Sequence, residues 1–168
     1  MTPKARWFWP LAIALLVADC ASKRAVESHL PVGEPQPVVG EVVRLTLSYN
    51  TDAAMGLQFA GTGNGARYLL AGLSVAALLV LGVLYRHTGQ GDRRRAVGVA
   101  LVVGGAIGNL LDRLRSGAGV VDFIDLGIAD VRFWTFNLAD VGITAGALLL
   151  LFTLGRYGQK QANFGGSA

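Results

Sequence analysis

Four aspartates fall within the run VVDFIDLGIADVRFWTFNLAD, residues 120–140: Asp122, Asp125, Asp130 and Asp140. Asp122 and Asp140 stand where a polar loop gives way to an apolar, helix-like stretch, which in a chain this hydrophobic means the edge of a membrane. A carboxylate is expensive to hold there, so its presence points to function. Two carboxylates that converge share a proton. Such a pair can take a proton from water and give one to a leaving group, the chemistry of an aspartic peptidase. Asn137 and Asp140 also have the spacing of a helix start, an asparagine N-cap and a capping-box acid three residues on. The helix N-terminus suits a carboxylate at Asp140. Asp122, brought beside it, is then pushed toward its protonated form. Asp125 and Asp130 read as solvated turn acids in the same loop.

Other hydrolytic chemistries find no footing in the sequence. Cys20 is the single cysteine, which excludes an internal disulfide and a cysteine-based metal site. His29 and His87 are isolated, with no HExxH spacing, and there is no GxSxG. No metal and no cofactor is expected. Two further polar groups sit inside apolar stretches. Asp19 and Lys23 are four apart in the favourable acid-first order, a self-neutralising helix pair, with Asp19 free also to orient a loop or substrate. Asn109, Asp112 and Arg113, at spacings of three and four, can line one helix face. A plainer reading makes Arg113 a cation answering the helix dipole, with Asp112 as its local partner.

The elements that must position these residues are membrane helices. The chain has 168 residues, 52% hydrophobic and 15% charged, with a mean hydropathy of +0.47. Ordinary soluble domains carry about 25% charged residues. One integral membrane domain over 1–168 is the expectation, all-α in class, with four transmembrane helices near 7–26, 68–85, 96–113 and 138–155. The first resembles a lipoprotein signal peptide in its basic start and following cysteine, but Asp19 stands where a small neutral residue is needed before the cut. Its apolar run, Trp7 to Ala18, is short of the bilayer core of about 30 Å, so the helix must continue through Asp19 and Lys23. In the third, Gly104 and Gly105 suggest close helix packing. Residues 27–66 form a small β-rich subdomain on the membrane surface: PVGEPQP is irregular, and VVGEVVRLTLSYN makes one or two short strands. Residues 50–59 then reach back toward the bilayer, and 114–136 form a second loop on the same side.

Basic residues orient the chain. Lys4, Arg6, Arg86, Arg93, Arg94, Arg95, Arg156 and Lys160 fall on the side shared by both termini and the 86–95 loop, with Asp92 the one acid there. The positive-inside rule makes that side cytoplasmic, so the carboxylates of interest face out. The pI near 9.6 is thus explained by topology. With no aromatic–basic interleaving, no nucleic-acid partner is expected.

Taken together, the motifs resemble those of the lipoprotein signal peptidases, or type II signal peptidases. They are Asp19 and Lys23 in a DxxxK pattern, GNLLDR with Asn109, Asp112 and Arg113, VVDF with Asp122, and FNLAD with Asn137 and Asp140. The resemblance covers all four spans in order. It implies a monomeric aspartic peptidase of the bacterial inner membrane, a target of the antibiotic globomycin, needing no cofactor. Such enzymes act among membrane lipids and cut prolipoprotein signal peptides before a diacylglyceryl cysteine. It makes Asp122 and Asp140 the catalytic dyad. Asn109, Arg113 and Asn137 would shape the site and position the scissile carbonyl. Asn50, Lys23 and Asp112 support it, and Asp19 is a supporting group near the outer loop. One motif departs: in the run Asn50–Met55, Asp52 replaces the family's glycine and Met55 its phenylalanine. Asparagine-like acids tolerate positive φ, and methionine keeps an apolar anchor.

Two other readings compete. A small transporter would use Asp19, Lys23, Asp112 and Asp140 as a proton or ion path; a scaffold would leave the dyad idle.

Overall fold

The computed structural model describes residues 1–51 and 64–165. In chain order it contains α1 (Pro3–His29), β1 (Gln36–Val39), β2 (Val43–Asn50), α2 (Asn64–His87), α3 (Arg93–Arg115), β3 (Val120–Ile128), β4 (Val131–Arg132) and α4 (Leu138–Gly165). Among the described residues, Pro3–His29, Arg67–His87 and Arg93–Arg115 are long and apolar enough to cross a bilayer, and α4 carries the shorter apolar stretch Leu138–Thr153. The altered positions Asp52 and Met55, and the segment expected to reach back to the bilayer, lie outside the described residues.

Local chemistry sets the helix ends. Pro3 occupies the first turn of α1, where its missing N–H costs nothing. Leu30, extended because Pro31 follows, closes that helix. Asp92 caps α3, its side chain accepting from the Arg95 N–H at 3.1 Å. Lys4 at the start of α1 donates to the Tyr85 and Thr88 carbonyls, both at 2.9 Å, satisfying the end of α2. At the opposite end of the bundle, Arg67 of α2 donates to the Arg113 and Leu114 carbonyls of α3 at 2.5 and 2.8 Å. Arg115 forks onto Glu27 of α1 at 2.8 and 2.7 Å.

Helix α3 is the centre of the bundle, and glycine makes it so. Lipid is as apolar as leucine, so helices associate through close packing and polar contacts rather than through hydrophobic burial. A Cβ at Gly104 would lie 2.7 Å from the Ala12 carbonyl oxygen of α1, and one at Gly105 would run into the Ala139 carbonyl oxygen of α4. The two glycines thus face opposite neighbours, and the close packing expected of the pair is present. Phe8, Ala12, Val99 and Ala100 form the buried cluster at the basic end.

The sheet departs from expectation in its membership. It is antiparallel, in the order β1-β2-β3-β4, so residues 114–136, read as a loop, supply two of its strands. Asp122 therefore lies inside β3, opposite Ser48 of β2, and not at the mouth of a helix. Asp125 is likewise no solvated turn acid. It is buried, pairs with Arg132 at 2.8 Å and accepts from Thr46 at 3.1 Å. Asp130 is exposed in the β3–β4 turn, as read. Gln36 and Pro37, from the run expected to be irregular, join β1, where an edge position tolerates proline. Val26 of α1 packs with Leu47, Val121 and Phe123 of the sheet in a second buried cluster, which seats the sheet on the helices beside the polar residues.

Candidate active site

Each polar residue is delivered by a distinct local device. After β4 the chain doubles back along β3: Phe136 accepts from the Phe123 and Ile124 N–H groups at 3.0 and 2.8 Å and donates to Ile124 at 3.1 Å. This returning segment, bridged at Phe136 to Ile124, brings Asn137 alongside Asp122. Asn137 then starts α4 as a reciprocal capping box. Its Oδ1 accepts from the Asp140 N–H at 3.0 Å, while Asp140 Oδ2 accepts from the Asn137 N–H at 3.1 Å. The capping geometry expected from spacing is present.

Asn137 is fully buried and bonds to both Asp122 and Asp140. Its Nδ2 donates to Asp122 Oδ1 at 2.7 Å, to the Val121 carbonyl at 3.2 Å and toward Asn109 Oδ1 at 3.1 Å. Asp122 receives a second bond on Oδ2, from Asn50 Nδ2 at 2.9 Å. Asn50 sits diagonally across the β2–β3 register, two residues from Ser48, within the reach of a cross-strand neighbour. Asn109 of α3 donates from Nδ2 to Asp140 Oδ1 at 2.8 Å. Thus Asp122 and Asp140 come from a strand and a helix, yet a single asparagine side chain and its own main chain touch both.

Electrostatics act strongly on Asp122. Burial pushes Asp122 up to about 6, and the nearby Asp140 charge pushes the same way. The bonds from Asn50 and Asn137 and the charge of Lys23 pull it down. An acid held this far above the usual carboxylate range is a candidate proton donor near neutrality.

Behind Asp122 and Asp140 lies a buried ion cluster. Lys23 Nζ is 2.8 Å from Asp19 Oδ2 and 2.8 Å from Asp112 Oδ2, and it donates to Asn109 Oδ1 at 2.9 Å. The expected Asp19–Lys23 pair is present, but one expectation needs correcting. Asp112 is partnered by Lys23 and not by Arg113, because α3 turns Asn109 and Asp112 toward α1 and leaves Arg113 partly exposed. Asp19 is fully buried among the helices, and its Oδ1 accepts from the Ala139 N–H at the start of α4 at 2.9 Å. Arg113 donates to the Asn109 carbonyl at 3.3 Å, and its charge faces Asp140, Asp122 and Asp112. Among the described residues, no group of three His, Cys, Asp or Glu side chains is placed to hold a metal ion.

All nine polar residues singled out by sequence meet in this one region. Two glycines beside them were missed. A Cβ at Gly108 would meet Asp19 Oδ2, and one at Gly119, whose φ is +105°, would meet the Asn50 carbonyl. A glycine next to a motif residue was the available signal.

Residues 11–156 match the family described as signal peptidase (SPase) II. A protein of Yersinia pseudotuberculosis serotype O:1b (strain IP 31758), named lipoprotein signal peptidase, is 40% identical over 148 residues, which cover 88% of this chain and 85% of that protein. The protein of the same name from Yersinia enterocolitica serotype O:8 / biotype 1B (strain NCTC 13174 / 8081) is 36% identical over the same shares. Two solved structures, each described as a bacterial membrane enzyme obtained by the in meso method, at 2.3 and 1.9 Å, match with TM-scores of 0.77 and 0.74 at 26% identity. They cover 87% and 86% of this chain, and 85% and 89% of theirs is covered in turn. Apolar helices, a small antiparallel sheet and a match over most of its length agree: this integral membrane chain belongs to the signal peptidase II family.

Proposed function

We propose that the protein is a lipoprotein signal peptidase that hydrolyses the bond before the diacylglyceryl-modified cysteine of prolipoproteins, with Asp122 and Asp140 as its dyad. The observation that carries this reading is the sharing of Asn137: one residue bonds to both carboxylates, at 2.7 and 3.1 Å. In this reading Asp140 takes a proton from water, whose oxygen attacks the scissile carbonyl carbon. Asp122, held protonated into the mildly acidic range, gives its proton to the departing nitrogen as the C–N bond breaks. The signal peptide leaves as a carboxylate and the lipidated cysteine as an amine. Asn109, Arg113 and Asn137 orient the pair and the carbonyl, and Asn50 tunes Asp122.

The reading places the protein as a monomer in the bacterial inner membrane, with four spans, both termini cytoplasmic and the dyad at the outer interface. Support comes from the basic end, where Lys4 caps α2 and the Arg93 guanidinium lies 3.7 Å over the Trp7 ring, so the clustered cations gather on one side. A substrate bearing two acyl chains cannot leave the bilayer, which suits a dyad at its surface. The deciding experiment is cleavage of a lipidated prolipoprotein by purified protein in detergent, beside Asp122→Asn and Asp140→Asn. Processing by the wild type that is lost in both variants is expected; processing that survives either substitution overturns the dyad.

A further inference from the structure

We infer that Asp19, Lys23 and Asp112 are positioning residues that hold the Asp122–Asp140 dyad through its main chain and do not touch substrate; this rests on that dyad being the catalytic pair. Asp19 Oδ1 accepts from the Ala139 N–H at 2.9 Å, and Asp112 Oδ2 accepts from the Val121 N–H at 3.3 Å. Ala139 and Val121 are the residues immediately before Asp140 and Asp122. Each carboxylate of the buried cluster therefore grips the peptide that aims one dyad aspartate. Lys23 ties the two grips together, at 2.8 Å from each, and its third bond reaches Asn109, which holds Asp140 from the other side.

Burial argues against any contact with substrate. Asp19 is 0% exposed, Lys23 2% and Asp112 7%. Gly108 leaves room for the Asp19 carboxylate, because a Cβ there would meet Oδ2. Two carboxylates share one ammonium, so neutralising one of them still leaves a balanced pair. Amide substitutions thus probe geometry without stranding a buried charge.

The two carboxylates use their oxygens differently, and that difference makes the test sharp. Asp112 receives both the Val121 N–H and Lys23 on Oδ2, so an asparagine keeps both bonds on its one carbonyl oxygen. Asp19 receives Ala139 on Oδ1 and Lys23 on Oδ2. An asparagine there must turn its NH2 toward one of two donors and lose that grip.

The experiment measures kcat and KM with a lipidated prolipoprotein for the wild type, Asp19→Asn, Asp112→Asn and Asp112→Leu, with Asp122→Asn as the dyad control. Displacement of a catalytic group by about 1 Å lowers the rate about a hundredfold. Asp19→Asn and Asp112→Leu should lose about that much in kcat, and Asp112→Asn no more than about tenfold, with KM within about twofold throughout. Equal losses for Asp19→Asn and Asp112→Asn, or a raised KM with kcat kept, overturn the inference. Activity that survives Asp122→Asn overturns the dyad reading instead, and the two failures are distinct. Should Asp19→Asn not fold, Gly108→Ala takes its place, compared with Gly98→Ala, which adds the same methyl against Leu150 away from the site. A kcat lowered equally in both glycine variants is then the refuting result.

Discussion

Replacing Asn50 by leucine asks what sets the proton on Asp122. The Asn50 amide donates to Asp122 Oδ2 at 2.9 Å, and after burial its bond is the largest influence on that carboxyl, opposing the upward push. A hydrogen bond to a charged group contributes about 1.5–3 kcal/mol, and about 1.4 kcal/mol corresponds to one pH unit. Removing the bond should raise Asp122 by about one to two pH units, from about 6 to about 7–8. Because the proposed mechanism needs Asp122 protonated, kcat/KM of the wild type should fall as pH rises through about 6, and in Asn50→Leu this falling limb should move upward. Stability gives a second readout. A carboxyl whose folded pKa is raised binds its proton more tightly when folded. Its contribution is therefore best at low pH and is lost as pH climbs from the ordinary 3.8 through about 6. In the variant that loss extends to higher pH, so the gap in unfolding temperature between wild type and Asn50→Leu should be wider at pH 8 than at pH 5. The assay is a pH profile of peptide cleavage in detergent, with thermal unfolding measured on the same samples. A limb that stays in place or moves down while the rate drops would refute the reasoning and make Asn50 a substrate contact.

Two further predictions concern the frame. Gly105→Ala drives a methyl into the Ala139 carbonyl oxygen. It should destabilise the protein by about 1–3 kcal/mol, seen as a lower unfolding temperature in detergent; an unchanged temperature would mean that α3 and α4 yield at this contact without penalty. Arg132→Leu leaves Asp125, now buried beside Thr46, without its guanidinium. That should cost about 3 kcal/mol by denaturation, with part recovered by adding Asp125→Asn, and no recovery would show that the arginine acts through its packing alone.

What could be read from the sequence divides by distance along the chain. The Asn137–Asp140 cap and the Asp19–Lys23 pair were legible because their partners lie three and four residues apart, where helix geometry fixes the contact. The glycine pair of α3 announced close packing, though not which helices it would meet. Strand β3 was hidden. VVDFIDLGI is buried on both faces through most of its length, so it lacks the alternation of a half-exposed strand, and its partner β2 lies some seventy residues earlier. Asp125 was misread for the same reason. The union of Lys23 with Asp112 was equally out of reach, since it depends on how α1 and α3 face each other, which no local spacing records.

The order in which the polar residues occur along the chain bears on biosynthesis. Residues 19 and 23 arrive with the first helix, 50 with the second strand, 109 and 112 with the third helix, and 122 with the strand after it. The start of α4 then supplies Asn137, which joins the two carboxylates, and Asp140 itself. A ribosome-bound chain that has not yet reached residue 137 thus carries Asp122 without Asp140 and without the bond that Asn137 gives it. On the proposed mechanism, proteolytic competence switches on only when the final helix docks against Gly105 and Gly108, and truncated translation products in the membrane are inert.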